Sequence, residues 1–153
     1  MSKAVVIGGL AGCEAAWALA NAGHSVTLYE MKPERYSPAH KNPNLAELVC
    51  SNSFKSTRPI SAAGLLKEEM ALLGSLVLEA AEETAVSAGG ALAVDRDLFA
   101  AAVTKRILAH PNIQTVAGRE ITEIPQGNAV IATGPLTSQA MSDAIGTLCG
   151  ERY

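Results

Sequence analysis

The sequence predicts an α/β fold built on a parallel β-sheet. Two observations near the N-terminus carry this prediction. A continuous apolar run over 4–7 ends at a pair of glycines, and a helical pattern over 12–22 leads into an alternating stretch over 25–29. A short apolar run without alternation is typical of a strand buried on both faces of a parallel sheet. Strand, helix and strand fit within thirty residues, which is the size of a βαβ unit.

The chain after residue 60 continues to alternate between helices and strands. Residues 61–83 are helical in content, with an expected interruption at Gly74, and a glycine-rich turn leads into an extended stretch within 88–94. Asp95 is the expected N-cap of a helix that runs to 110. The remaining predicted elements are three short strands and a final helix, at 113–116, 120–124, 129–132 and 138–148.

Residues 31–60 are the exception to this regular pattern. The segment contains many polar residues, little periodicity and four prolines, namely Pro33, Pro38, Pro43 and Pro59. A long irregular segment inside a compact domain is uncommon unless it serves a function. We therefore interpret 31–60 as a long functional loop.

Composition and charge exclude several classes of protein. The chain has 153 residues, of which 48% are hydrophobic and 18% charged, as in a folded domain rather than a disordered chain. A net charge of −3 excludes this chain alone as a strongly basic clamp for nucleic acid. Its cysteines, Cys13, Cys50 and Cys149, form no CxxC pair, so neither a disulfide framework nor a metal site is expected. Cys13 and Cys149 are expected to be packing residues.

The N-terminal segment allows two interpretations. Residues 10–13 follow Lys3 and an apolar run, and they resemble the cleavage box of a bacterial lipoprotein. That run is only seven residues long and includes Gly8 and Gly9, which is short for the core of a signal peptide. An exported, lipid-anchored protein is therefore the minor alternative, and a cytoplasmic protein without a membrane-spanning helix is the main expectation.

The glycine cluster between the first predicted strand and helix is the strongest local signal of function. Free N–H groups at a helix N-terminus favour an anion, and glycines let a pyrophosphate approach the backbone. Residues 9–12 match the second half of GxGxxG, but the first glycine is Gly8 rather than residue 7, so the turn is one residue short. Glu30 ends the second strand, where a carboxylate can accept hydrogen bonds from a ribose. The pattern indicates dinucleotide binding, and the alternative is a turn that binds nothing.

Cys50 lies in the irregular loop rather than on a core-facing repeat. His40 and Lys41 precede it, and Lys55 and Arg58 follow it. Such cations could lower the pKa of the thiol and make it a nucleophile, or they could bind a polyanion. The alternatives are an inert buried thiol and an ordinary solvated loop.

A second approach to a cofactor is indicated near Thr133 and Gly134. These residues directly follow the last predicted strand. A glycine at a strand end lets the backbone lie close to a bound group. An ordinary turn is the alternative interpretation.

Taken together, these segments resemble the TrmFO family of folate- and FAD-dependent tRNA (uracil-5-)-methyltransferases, which is related to the larger GidA-type flavoproteins. The resemblance covers essentially the whole chain in collinear order. The blocks that carry it are 9–17, 28–33, 38–40, 46–53, 64–70, 89–96 and 131–138.

The resemblance implies a set of cofactors, substrates and site residues. It implies bound FAD, methylenetetrahydrofolate as one-carbon donor, NADPH or NADH as reductant, and C5 of the T-loop uridine 54 of tRNA as acceptor. It implies Cys50 as a catalytic cysteine, although a second functional cysteine of the family lies farther along, so nucleophile and base stay unassigned. The implied cofactor-binding residues are Gly8, Gly9, Leu10, Ala11, Gly12, Glu30, Met31, Lys32, Thr133 and Gly134.

Family members are much longer than this chain. Residues 1–153 are therefore expected to be the N-terminal part of a Rossmann-like FAD-binding domain that does not methylate tRNA alone, and a separate C-terminal half is one expected partner. One alternative is a non-catalytic module that binds FAD or another nucleotide. Another is a GidA-like flavoprotein that modifies a different tRNA uridine, and the Cys50 and 89–96 blocks argue against it.

Overall fold

The computed structural model describes residues 2–150, which form two β-sheets and five α-helices. The strands are β1 (Lys3–Ile7), β2 (Ser25–Glu30), β3 (Ser53–Ser56), β4 (Ala85–Val86), β5 (Ala91–Val94), β6 (Ile113–Ala117) and β7 (Ala129–Ile131). The helices are α1 (Leu10–Asn21), α2 (Ala62–Leu72), α3 (Leu76–Glu83), α4 (Arg96–Ala109) and α5 (Gln139–Cys149), with a short 3₁₀ helix at Gly134–Leu136.

The main sheet is entirely parallel, in the order β6-β2-β1-β7. β1 and β2 pair in register, with Val6 opposite Leu28, and both side chains are fully buried. Burial on both faces explains why the sequence of β1 is a continuous apolar run rather than an alternating one. The predicted βαβ unit and the α/β fold class are confirmed.

The second sheet is antiparallel, in the order β3-β5-β4. The sequence predicts β5 as an extended stretch, but it does not predict β3 or β4. β3 reads Ser-Phe-Lys-Ser, and it is a strand because Ser53 and Ser56 pair with Ala93 and Ala91 of β5. A bulge separates these two pairs, and Lys55 within it has a φ of 66°.

Serine and aspartate side chains cap the N-termini of most of the helices that the sequence predicts. Ser61 and Ser75 accept hydrogen bonds at the starts of α2 and α3, which Gly74 separates with a φ of 73°. Ser138 does the same for α5, and Asp95 accepts from two N–H groups of α4. The predicted interruption at Gly74 and the predicted cap at Asp95 are confirmed. None of the helices within residues 2–150 is both long and apolar enough to cross a membrane.

The predicted strand at 120–124 is wrong. β6 ends at Ala117, and Gly118 then turns the chain with a φ of 75°. The N–H groups of Gly118 and Arg119 donate to the carbonyls of Lys32 and Glu30, over 2.8 and 3.0 Å. The chain that follows β6 is therefore held against the end of β2, and residues 120–124 do not pair within the sheet.

One hydrophobic core supports both sheets. Side chains from the main sheet, α1, α3, α4 and β5 contribute to it. Phe99 of α4 is fully buried, and its ring lies 5.5 Å from the ring of Phe54 in β3. Burying one large apolar side chain contributes about 1.5–3 kcal/mol. The core therefore fixes β3 and β5 relative to the parallel sheet.

Replacing Asp95 with Ala should lower the free energy of unfolding by about 1 kcal/mol, the usual cost of losing an N-cap. The Asp95 carboxylate accepts from the N–H groups of Asp97 and Leu98, each over 3.0 Å. Asp95→Asn keeps a side-chain acceptor and is the matched control, expected to stay close to the parent. Urea unfolding followed by circular dichroism measures the difference. An Asp95→Ala protein as stable as the parent would contradict the cap.

Candidate functional site

The turn between β1 and α1 consists of Gly8 and Gly9 alone. Gly9 has a φ of 83°, and a Cβ placed on it would lie 2.3 Å from the carbonyl oxygen of Ala132. Only glycine fits this close approach of the turn to the end of β7. No side chain caps the start of α1. Its first N–H groups therefore stay available to an anion, as in sites that hold a dinucleotide pyrophosphate.

Gly8 and Gly12 have different roles in the same turn. The N–H of Gly8 donates to the carbonyl of Tyr29 over 2.8 Å and ties the turn to β2. Gly12 is buried, and a Cβ on it would lie 3.4 Å from the carbonyl oxygen of Ile7 and 3.5 Å from Cγ1 of Val6. Gly12 thus serves the close packing of α1 on β1. The one-residue-short motif still forms a tight turn and an uncapped helix start.

Glu30 places a carboxylate beside this turn. The residue ends β2 and is buried. Its Oε1 accepts from the N–H of Lys32 over 3.1 Å. Its Oε2 lies 3.9 Å from the point that a Cβ on Gly8 would occupy. The structure therefore brings Glu30 and the glycine turn together, in the arrangement expected of a ribose acceptor next to a pyrophosphate site.

The glycine turn and Glu30 open into a cleft. A second cleft adjoins it, and the two share six lining residues, namely Gly9, Leu10, His40, Glu47, Thr133 and Leu136. Gly12 is buried and lines neither cleft. Of the predicted cofactor-binding residues, the first cleft is lined by Gly8, Gly9, Leu10, Glu30, Met31, Lys32 and Thr133. The second is lined by Gly9, Leu10, Ala11, Thr133 and Gly134.

The ammonium group of Lys32 is buried and bonded within the protein. Its side chain is 3% exposed, and its ammonium donates to the carbonyls of Asn42, over 3.0 Å, and Asn44. The carboxylate of Glu47 lies 3.8 Å away. A buried ammonium needs such partners because desolvation is costly. Lys32 thus joins the end of β2 to the loop that leads toward Cys50.

Sequence reasoning missed Arg119 and Glu120, which line the first cleft. The Arg119 guanidinium lies 5.6 Å from the centre of the Tyr29 ring, and Glu120 pairs with Arg35. The other carboxylate oxygen of Glu120 is buried and has no hydrogen-bond partner among the described residues. A signal was present, since the pair follows Gly118 directly after a strand. Assigning 120–124 to a strand concealed it.

Cys50 is exposed and lines the second cleft. Burial, reinforced by the nearby Glu30 carboxylate, raises the pKa of the Cys13 thiol to about 12. Cys13 is therefore a poor nucleophile, and its predicted packing role is confirmed. The same prediction is wrong for Cys149, which is exposed at the end of α5. The structure thus favours Cys50 over Cys13 for chemistry in the cleft.

The structure gathers only one of the four predicted cations around Cys50. His40 lines both clefts, and its Nδ1 lies 2.6 Å from Oγ of Ser37. Lys41, Lys55 and Arg58 are exposed, and none of them lines the cleft that contains Cys50. A basic patch packed directly around the thiol is therefore not formed by these three side chains.

A solved structure of another protein has a similar fold. A crystal structure of Aquifex aeolicus GidA superposes on 82% of this chain and 21% of that protein, with a TM-score of 0.63 and 19% sequence identity. Similarity at this identity establishes the fold alone.

Sequence similarity to curated proteins is much higher. The chain is 58% identical over 151 residues to the methylenetetrahydrofolate--tRNA-(uracil-5-)-methyltransferase TrmFO of Geotalea uraniireducens, covering 97% of the chain and 34% of that protein. It is 55% identical over 149 residues to TrmFO of Bacillus subtilis, with the same coverage, 97% and 34%. The chain therefore spans about a third of the length of these relatives.

A family model extends the comparison across the whole fold. The model described as glucose inhibited division protein A matches residues 3–147. That range runs from the first residue of β1 nearly to the end of α5, and it includes both clefts. The chain belongs to the family of glucose inhibited division protein A, GidA.

Proposed function

We propose that this chain supplies the FAD-binding region and a catalytic cysteine of a methylenetetrahydrofolate-dependent tRNA (uracil-5-)-methyltransferase. The observation that carries the proposal is the continuity of the two clefts, since the wall formed by Gly9, Leu10 and Thr133 belongs to both. A dinucleotide held at the glycine turn would therefore extend toward Cys50. Relatives more than half identical to this chain carry that activity in their names.

The residues of the first cleft fit FAD. The N–H groups that begin α1 at Leu10 would hold the pyrophosphate, and the Glu30 carboxylate would accept hydrogen bonds from the adenosine ribose. Thr133 and Gly134 offer a second backbone approach, toward the flavin end. When bound, FAD supplies the two electrons that turn a methylene unit into a methyl group. NADPH or NADH is the proposed source of those electrons.

Cys50 is the proposed nucleophile toward the uracil ring. Its thiolate would bond to C6 and move an electron pair to C5, which then bonds to the one-carbon unit. A base removes the C5 proton while the bond between the one-carbon unit and the folate nitrogen breaks and tetrahydrofolate leaves. A hydride equivalent, two electrons and one proton, then completes the methyl group as the sulfur–C6 bond breaks and the thiolate is released. An exposed thiol suits this step because a nucleotide must leave its stack before an enzyme can act on its base.

The complete reaction is proposed for this region together with the rest of the length found in its relatives. The chain covers 34% of the Geotalea and Bacillus proteins. The remaining length could be joined to this region or carried by a separate chain. Assays of methyl transfer therefore need both parts, whereas FAD binding can be measured on this chain.

Replacing Gly9 with Ala should weaken FAD binding about tenfold or more, equivalent to roughly 1.4 kcal/mol. A Cβ on Gly9 would collide with the Ala132 carbonyl at 2.3 Å and force the turn out of shape. Gly127→Ala is the matched control, because Gly127 has a similar φ of 85° but open space around it. Flavin fluorescence titration of both variants measures the affinity. Unchanged affinity in Gly9→Ala would place the pyrophosphate elsewhere.

Replacing Cys50 with Ser should reduce methyl transfer to tRNA by on the order of 10³-fold or more, as removal of a covalent nucleophile does in other enzymes. FAD should remain bound, because the hydroxyl keeps the size of the thiol. Cys149→Ser removes the other exposed thiol and should leave transfer unchanged. Formation of 5-methyluridine, measured with both parts of the enzyme present, reports transfer.

Two results would count against the role of Cys50. Full transfer by Cys50→Ser would show that the thiol does not attack the base. Loss of FAD together with transfer would make Cys50 a structural residue. A parent protein that binds flavin but never methylates tRNA would instead support a non-catalytic flavin-binding module.

A further inference from the structure

Cys50 lies in a short segment, 47–51, which we call the bridge. Its upstream end is tied to α4 and its downstream end to β5, the strand that directly precedes α4. Upstream, Leu45 and Ala46 are buried. The N–H of Leu45 donates to Oγ1 of Thr104 in α4 over 2.9 Å. The Thr104 hydroxyl in turn donates to the carbonyl of Ala100, over 2.7 Å. The upstream end is thus fixed to α4.

The downstream end is fixed by Asn52, two residues after Cys50. The side-chain Nδ2 of Asn52 donates to the carbonyl of Val94 over 2.9 Å. The N–H of Val94 donates back to the main-chain carbonyl of Asn52, also over 2.9 Å. One asparagine therefore closes a reciprocal pair of hydrogen bonds with one residue of β5.

Val94 is a rigid anchor for this pair. It is the last residue of β5, and only 1% of it is exposed. The next residue, Asp95, caps α4, and its own N–H donates to the carbonyl of Thr84 over 3.0 Å. Motion of Val94 would disturb the strand, the cap and the core together. Motion of the downstream half of the bridge, which contains Cys50, requires the bonds of Asn52 to break, whereas Glu47 at the upstream end is held separately by Lys32 and by the N–H of Lys41.

The neighbouring polar side chains do not replace Asn52. Oγ of Ser51 accepts from the N–H of Ser53 over 3.1 Å, and Oγ of Ser53 accepts from the N–H of Lys55 over 3.1 Å. These bonds are local and join residues two apart in the chain. They shape the turn but do not connect it to the core.

We propose that Asn52 is a positioning residue that fixes the Cys50 thiol at the second cleft through its side-chain hydrogen bond to Val94. This inference rests on the proposed role of Cys50. A nucleophile must be held close to its productive geometry, and a group that locks the backbone beside it supplies that order. Without the side-chain bond, the bridge keeps its upstream tie but loses its side-chain link to β5.

A nitroxide attached to Cys50 tests the proposal directly. In a Cys149→Ser background the label reacts with Cys50, because Cys13 is buried. Loss of one hydrogen bond of about 1 kcal/mol changes a local equilibrium about fivefold. The ratio of mobile to immobile label, measured by electron paramagnetic resonance, should therefore rise about fivefold in Asn52→Ala. Asn52→Asp, which keeps the size but lacks the Nδ2 donor, should show the same rise and serves if the alanine variant does not fold.

Asn112→Ala is the matched control. Asn112 also donates from Nδ2 to a distant main-chain carbonyl, that of Ala20 over 3.1 Å, but near the opposite end of α1 from the glycine turn. It should destabilise the fold without changing the label at Cys50. An equal rise in mobility in Asn112→Ala, or no rise in either Asn52 variant, would overturn the proposal.

Turnover separates this inference from the proposed function. In unlabelled protein with both parts of the enzyme, Asn52→Ala should lower kcat for methyl transfer and leave the KM for tRNA and FAD binding unchanged. A parent-like kcat despite a mobile label would overturn the positioning role of Asn52. Full transfer by Cys50→Ser would instead overturn the proposed function, while the label would still report whether Asn52 holds the bridge.

Discussion

The close approach of Gly9 to the carbonyl of Ala132 is the contact on which the rest of the site depends. It joins the turn after β1 to the end of β7, the neighbouring strand of the parallel sheet. Because the two chain segments touch there without a side chain between them, the uncapped start of α1 and the Thr133 backbone face the same space. That space is where the two clefts meet.

A second constraint holds the cysteine loop against this sheet. The buried ammonium of Lys32 ties the end of β2 to the loop, and α4 and β5 tie the same loop from the other side through Thr104 and Val94. The loop is irregular in secondary structure but has fixed partners on both sides. This explains how an exposed thiol can have a defined place. The fold thus brings the glycine turn and an exposed thiol to adjoining clefts.

The parts of the fold that follow from local sequence could be predicted. The apolar run of β1, the helix interruption at Gly74 and the Asp95 cap are properties of neighbouring residues, and the structure agrees with them. β3 and the segment 120–124 could not be assigned correctly, because their conformation depends on partners far along the chain. Ser53 needs β5 in order to pair, and the N–H of Arg119 donates to the carbonyl of Glu30 at the end of β2. The same holds for the site. The glycine turn and Glu30 form a motif that can be recognised in the sequence, whereas the hydrogen-bond partners of Lys32 and Asn52 are brought close only by folding.

The central claim is that FAD lies along the shared clefts with its flavin end toward Cys50. A nitroxide on Cys50, in protein saturated with oxidised FAD, broadens the NMR resonances of nearby protons, and this broadening falls steeply with distance. The account predicts strong broadening of the flavin-ring protons and weak broadening of the adenine protons. Equal broadening of both ends, or stronger broadening of adenine, would contradict it.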